Sequence, residues 1–242
     1  MTSILVTGAN RGIGFGLVRE LLKIPASGIE RLIATARNPE NAQELKSLND
    51  PRLIIIKLDV DSDESIENSV KQVDKILEGR GLDVLINNAG ILKKIDPKKP
   101  SRQILLDTLN VNAVSVAMIA AAYYPLLKKA AAAKGHSQIA NITSLHGSCA
   151  RCAGNFQDHQ VMAYAMSKAA ANRFSVYISH DWAEDNIWST CFCPGWVKTD
   201  MGTDEADLTL EESTSQLANT ILELKADNNG KYYFYDGRKI EW

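Results

Sequence analysis

The feature that most restricts what this chain can fold into is an alternation. Short runs of apolar, often β-branched residues are followed again and again by segments of helical periodicity. The runs are SILVTG, RLIATAR, RLIIIKLDV, LDVLINNAG, QIANITS, WSTCFCPG and KYYFYDG. Most are apolar on both faces, as suits strands of a parallel sheet covered by helices on each side. Between them lie GFGLVRELLKI, DESIENSVKQVDKILEG and a long stretch from Pro100 to Gly135, whose AAAAK ending is strong helix former with Gly135 as its stop. The series reads as βαβ units. Right-handed crossovers then predict an α/β fold on a doubly wound parallel sheet, with ligands beyond the C-terminal ends of the strands.

A chain of 242 residues, 45% hydrophobic and 23% charged, can bury a large core and is expected to form one domain over residues 1–242. The net charge of -2 provides no broad attraction to nucleic acid or anionic membrane, so small molecules are the expected partners. MTSILVTGAN enters a strand without a basic flank or cleavage site, and no unbroken run of about 18 uncharged apolar residues occurs, which predicts a cytoplasmic protein. The four cysteines, paired in sequence as Cys149/Cys152 and Cys191/Cys193, are expected to be reduced thiols.

The first run ends in TGANRGIG, with Gly8, Gly12 and Gly14 leading straight into a helix. Glycines there let the backbone turn tightly and approach a pyrophosphate seated at the helix N-terminus, which points to a dinucleotide. The second run ends in Ala36 and Arg37, where an NAD site would carry an acidic residue for the ribose diol. A guanidinium at that place, with Arg11 in the glycine turn, suits a 2′-phosphate and therefore NADPH.

Farther on, VMAYAMSKAAAN sets Tyr164 and Lys168 on one face of a helix. The same spacing recurs at Tyr124/Lys128 and Tyr235/Lys239, so three of the seven tyrosines carry it and spacing alone selects none. Lys128 stands near the end of the long helix, where cations favour the dipole, and Tyr235 to Lys239 spans an Asp-Gly turn. Only the Tyr164 pair follows a strand-end serine, Ser144.

Taken in order, TGxxxGxG at 7–14, LDV at 58–60, NNAG at 87–90, NVN at 110–112, Ser144 in NITS, YAMSK at 164–168 and PGWVKTDM at 194–201 resemble the short-chain dehydrogenase/reductase family over essentially the whole chain. Within it, PGWVKTDM and the late YDG are similar to the sniffer-type and C-factor-like carbonyl reductases. The resemblance implies a Rossmann-like fold, a homodimer, and NADPH-dependent reduction of aldehydes, ketones and quinones. It implies that Tyr164 donates the proton, Lys168 tunes that phenol and holds the nicotinamide ribose, Ser144 holds the substrate oxygen, and Asn112 supports a water path to the lysine. A phenol with an ordinary pKa of about 10 is poorly matched to neutral pH, and a cation one turn away is expected to lower it. The cofactor contacts so implied are Gly8, Asn10, Arg11, Gly12, Ile13 and Gly14 in the first turn and Arg37 after the second strand. With them go Asp59 and Val60 at the adenine, Asn87, Ala89 and Gly90 along the ribose, Tyr164 and Lys168, and Pro194, Gly195, Val197 and Thr199 at the nicotinamide. Read without the family, Ser144 could be a plain turn serine, Asp59 a helix cap, and Asn112 a tolerated surface residue.

Two departures bear on specificity. The interval from Ser144 to Tyr164 is longer than usual for the family, and GTDEADLTL is short for a substrate lid, so an open site of broad carbonyl selectivity is expected. The long interval contains His146, Cys149, Cys152 and His159, whose spacing is not that of a standard zinc site, and no metal is expected. An oxidative alcohol or steroid dehydrogenase, and a dinucleotide-binding sensor without turnover, stand as alternatives. Arg37 speaks against the first, and the joint presence of Asn112, Ser144, Tyr164 and Lys168 against the second.

Overall fold

In the computed structural model, which describes residues 2–152 and 160–242, the chain runs β1 (Thr2–Val6), α1 (Gly12–Leu22), β2 (Ile29–Ala36), α2 (Gln43–Ser47), β3 (Leu53–Lys57), α3 (Asp63–Ile76) and β4 (Val84–Asn87). It continues through α4 (Arg102–Leu109), a π-helical segment (Asn110–Val114), α5 (Ser115–Lys134), β5 (Ser137–Ile142), α6 (Cys149–Cys152), α7 (Met162–Asp181), β6 (Ile187–Cys193), α8 (Leu210–Leu222) and β7 (Tyr232–Phe234). Each sequence run supplies one strand. The strands form a single seven-stranded sheet in the order β3-β2-β1-β4-β5-β6-β7, and every pairing is parallel.

Alternate side chains on each strand feed opposite cores, as the two-residue pleat requires. Ile4, Val6, Leu32, Ala34 and Ile86 pack with Leu17 and Leu21 of α1 and Leu217 and Ile221 of α8. Leu5, Ile33, Leu85 and Ile139 face the other way, onto Ile66 and Val73 of α3 and Ile119, Tyr123 and Leu127 of α5. Fully burying a Leu or Ile is worth roughly 1.5–3 kcal/mol, so the sheet is held from both sides.

The long helical stretch differs from expectation in two ways. It is interrupted by the π segment, and by average composition Arg102–Lys134 is apolar enough to cross a membrane although it lacks an unbroken apolar run. Its inward residues belong to the core just described, so it is a sheet-covering helix. Gly135 ends it with φ of 92°, as its sequence predicted.

The strand order reverses between β1 and β4. A crevice must open there at the C-terminal ends of the strands, and the glycine turn after β1 and the NNAG segment after β4 meet at that place.

Candidate active site

The glycine turn is built so tightly that side chains are excluded. Gly8 and Gly12 have φ of 62° and 53°, and a Cβ on Gly8 would lie 2.9 Å from Ala89 Cα. A Cβ on Gly14 would lie 2.5 Å from both Asn88 Nδ2 and the Gly8 carbonyl oxygen. Thr7 Oγ1 accepts from the Asn88 and Ala89 amides at 2.9 and 3.0 Å, while Asn88 Nδ2 donates to the Thr7 and Gly8 carbonyls at 2.8 and 3.1 Å. The second asparagine of NNAG therefore fastens the turn. The first, Asn87, instead points into the sheet and donates to Asn141 Oδ1 at 2.9 Å.

Behind this turn α1 begins at Arg11 with no side-chain cap and no acidic residue in its first turn, whereas α3, α4 and α8 are capped by Ser62, Ser101 and Thr209. Its amides, including those of Ile13 and Gly14, are left for another acceptor, as a phosphate would be. Arg37 lies exposed just beyond β2, and no acid stands at that strand end. Arg11 reaches across to the loop after β6: its Nη1 pairs with Asp200 Oδ2 at 2.9 Å, and both side chains are exposed. Asp59 is not the cap of α3, a role that Ser62 fills. It accepts from the Asp61 amide at 3.3 Å and lies, like Val60, half-buried at the end of β3. These features fit a dinucleotide: a cradle that only glycine can line, an uncapped helix, and a cation in place of an acid.

The loop after β6 closes the other side. Gly195 has φ of 80°, Pro194 accepts from Ser213 Oγ at 2.7 Å, and Val197 is buried beside Leu208. A Cβ on Gly12 would stand 3.6 Å from Thr199 Cγ2, so the two loops face each other across the crevice.

Tyr164 and Lys168 lie one turn apart on α7, 8% and 5% exposed, with the ammonium 5.5 Å from the centre of the phenol ring. Ser144, just past β5, stands near enough to the Tyr164 phenol to lower its proton affinity, and its Oγ accepts from the His146 amide at 3.3 Å. Lys168 Nζ donates to the Ile142 carbonyl at 2.9 Å. Asn112 is fully buried, not a surface residue. Its Oδ1 accepts from the Ile91 amide at 2.8 Å, and its Nδ2 donates to the Ile91 carbonyl at 2.8 Å and to Ser167 Oγ at 3.0 Å. The π segment turns Asn112 inward, and such segments are frequent at functional sites. A Cβ on Gly90 would lie 3.2 Å from Asn112 Oδ1 and 3.6 Å from Lys168 Nζ, so these three residues converge.

Burial dominates the electrostatics. It raises the Tyr164 phenol above its ordinary value, the Ser144 hydroxyl opposes this, and Cys193 adds to it. The expected lowering by the neighbouring lysine is not the governing effect. Burial also lowers Lys168 to about 8, against the nearby Cys191 and Cys193, and raises the Cys191 thiol to about 12.

Sequence reasoning missed Thr7, Asn88, Ser167 and the Ile142 carbonyl. Thr7 and Asn88 lay inside motifs already quoted, whereas nothing in sequence separates Ser167 from other helix serines. The zinc reading has no support among the described residues, where no cluster of metal-ligating side chains occurs. Cys149 is exposed, while the Cys152 side chain and His159 lie outside the described residues.

Residues 2–209 match the family model described as short chain dehydrogenase. The carbonyl reductase Sniffer of D. melanogaster is 39% identical, with full coverage of both chains and a TM-score of 0.94. An NADPH-bound carbonyl reductase from chicken fatty liver is 34% identical over 100% of this chain and 99% of its own, also with a TM-score of 0.94. An oxidoreductase of Schizosaccharomyces pombe is 31% identical over 98% of this chain and 96% of that protein. With the crevice, the glycine cradle and the buried Tyr164/Lys168 pair in place, the chain belongs to the short-chain dehydrogenase/reductase family of oxidoreductase enzymes.

Proposed function

We propose that the protein reduces aldehydes, ketones and quinones with NADPH. The observation that carries this reading is the convergence of Ser144, Tyr164, Lys168 and Asn112 behind the glycine cradle. The nicotinamide, when bound, supplies the hydride. Tyr164 supplies the proton: its phenol is protonated at neutral pH, and because burial disfavours the phenolate, transfer depends on a neighbouring charge to stabilise what is left behind. Ser144 holds the carbonyl oxygen beside that phenol and stabilises its growing charge. Lys168, cationic below about pH 8, stabilises the phenolate left after transfer, and Asn112 holds the backbone around Ile91 beside the lysine.

Arg37 supports NADPH over NADH, since a guanidinium binds a 2′-phosphate in a fork. Replacing it with alanine is expected to weaken NADPH binding about tenfold and leave NADH within twofold, read as fluorescence-titration Kd values. A homodimer is part of the proposal, supported by Leu106, Val114, Met118, Met166 and Tyr177, which are exposed on the adjoining α4, α5 and α7 stretches. The broad test follows NADPH and NADH consumption with a quinone and an aromatic aldehyde, in wild type and Tyr164→Phe. Full activity in the phenylalanine variant would refute the mechanism, and cofactor binding without turnover on a wide carbonyl panel would favour the sensor alternative.

A further inference from the structure

Beyond β7 the chain turns at Gly237, with φ of 83°, and runs back alongside the strand. Phe234 donates its amide to the Arg238 carbonyl and Ile240 donates to the Tyr232 carbonyl, both at 2.8 Å. The returning segment ends against the turn that follows Ser144. Ser148 Oγ donates to the Glu241 carbonyl at 2.5 Å, and the Ala150 amide donates to the Trp242 carbonyl at 2.9 Å. The Trp242 ring stacks on the buried Tyr232 ring, with centroids 5.3 Å apart and planes at 19°.

A small third core lies beneath this contact, made of Cys191, Cys193, Tyr232 and Ile240 with Leu145 and Phe234 against it. Cys193 Sγ accepts from the Leu145 amide at 3.2 Å. On the far side the same turn is pressed onto α7: Asn172 Nδ2 donates to the Gly147 carbonyl at 3.1 Å, and a Cβ on Gly147 would lie 2.8 Å from the Lys168 carbonyl carbon. The turn carrying Ser144 and His146 is thus gripped between α7 and residues 240–242, with the His146 ring edge-on to Tyr164 at 6.0 Å.

We propose that residues 240–242 form a strap that sets the position of the Ser144–Ser148 turn, and that Trp242 is a positioning residue for carbonyl binding. The kinetic part rests on the proposed reductase activity. The strap touches the carbonyl side of the crevice and not the glycine turn, so its loss acts on one ligand and spares the other.

The test compares Trp242→Ala, Trp242→Phe and Ser148→Ala in the full chain. In Trp242→Ala, kcat/KM for an aromatic aldehyde is expected to fall about tenfold, mostly through KM, with the NADPH Kd within about twofold. Amide hydrogen exchange at residues 145–150 is expected to quicken. Trp242→Phe restores kcat/KM and the exchange rate, with the NADPH Kd again unchanged, and Ser148→Ala shows the same pattern at about threefold. Should Trp242→Ala fail to fold, Ser148→Ala alone decides. The proposal is overturned if exchange at 145–150 is unchanged, or if NADPH affinity falls in step with kcat/KM. If the wild type turns over no carbonyl, the reductase reading fails, and hydrogen exchange and the NADPH Kd still judge the strap.

Discussion

Tyr164/Lys168 and Tyr124/Lys128 have the same spacing on two helices, yet the protein uses them oppositely. On α5, the Tyr124 phenol donates to Asp185 Oδ2, and Lys128 Nζ pairs with Asp185 Oδ1 at 2.9 Å. Hydrogen bonding to Asp185 raises the Tyr124 phenol and the Lys128 ammonium and lowers the carboxyl itself, so each group is held in its ordinary charge state. On α7 no carboxylate is paired with either group among the described residues. Burial raises the phenol and lowers the ammonium, driving their proton affinities apart. A carboxylate makes one pair a surface clasp, whereas desolvation and Ser144 make the other a proton donor with a responsive neighbour.

The sharpest way to break this contrast is to remove each phenol. Tyr164→Phe is expected to lower kcat/KM for carbonyl reduction by about 10³-fold, and Tyr124→Phe by less than twofold, measured on the same aldehyde. Equal losses would mean that burial does not distinguish the pairs.

Next come the lysines. Lys168→Met should cost about 10²-fold in kcat/KM without lowering the melting temperature, because an apolar side chain replaces a charge that burial disfavours. Lys128→Met should leave turnover intact.

A smaller effect is pH dependence. Lys168 loses its proton as pH rises through about 8 while the Tyr164 phenol stays protonated, so kcat/KM for reduction should be level below pH 8 and fall up to tenfold per unit above it. The stability contribution has the opposite sign. Between about 8 and the ordinary 10.5 the unfolded chain binds more protons at this lysine than the folded one, so its contribution rises with pH. A profile unchanged in Lys168→Met would remove the lysine from the interpretation.

The smallest effect belongs to the clasp itself. Asp185→Asn should leave kinetics unchanged and shift the melting temperature by at most a few degrees, as exposed pairs do. Because the Asp185 carboxyl is held low, whatever stability it supplies is present at neutral pH and is lost as pH falls through that lowered value.

Much of the fold was legible in the residues. The apolar runs became the strands and Gly135 ended its helix, because strand faces and left-handed caps follow from local sterics. Gly8, Gly12 and Gly14 were equally readable at the end of β1. Less was visible where side chains meet partners far along the chain. Nothing near Arg11 announces its pairing with Asp200, 189 residues on; Asn112 could have been a surface residue and is buried against Ile91 and Ser167. No local pattern encodes such meetings.

By itself, then, the sequence determined the succession of strands and helices along the chain and the glycine turn after the first strand. These depend on periodicity and on φ preferences, which neighbouring residues carry. Only the tertiary structure decided where the strand order reverses, in what direction burial moves the proton affinities of Tyr164 and Lys168, and that residues 240–242 grip the turn after Ser144. Desolvation and hydrogen bonding depend on what the folded chain brings alongside a group, and at Tyr164 that includes Ser144 and Cys193 from two other strand ends.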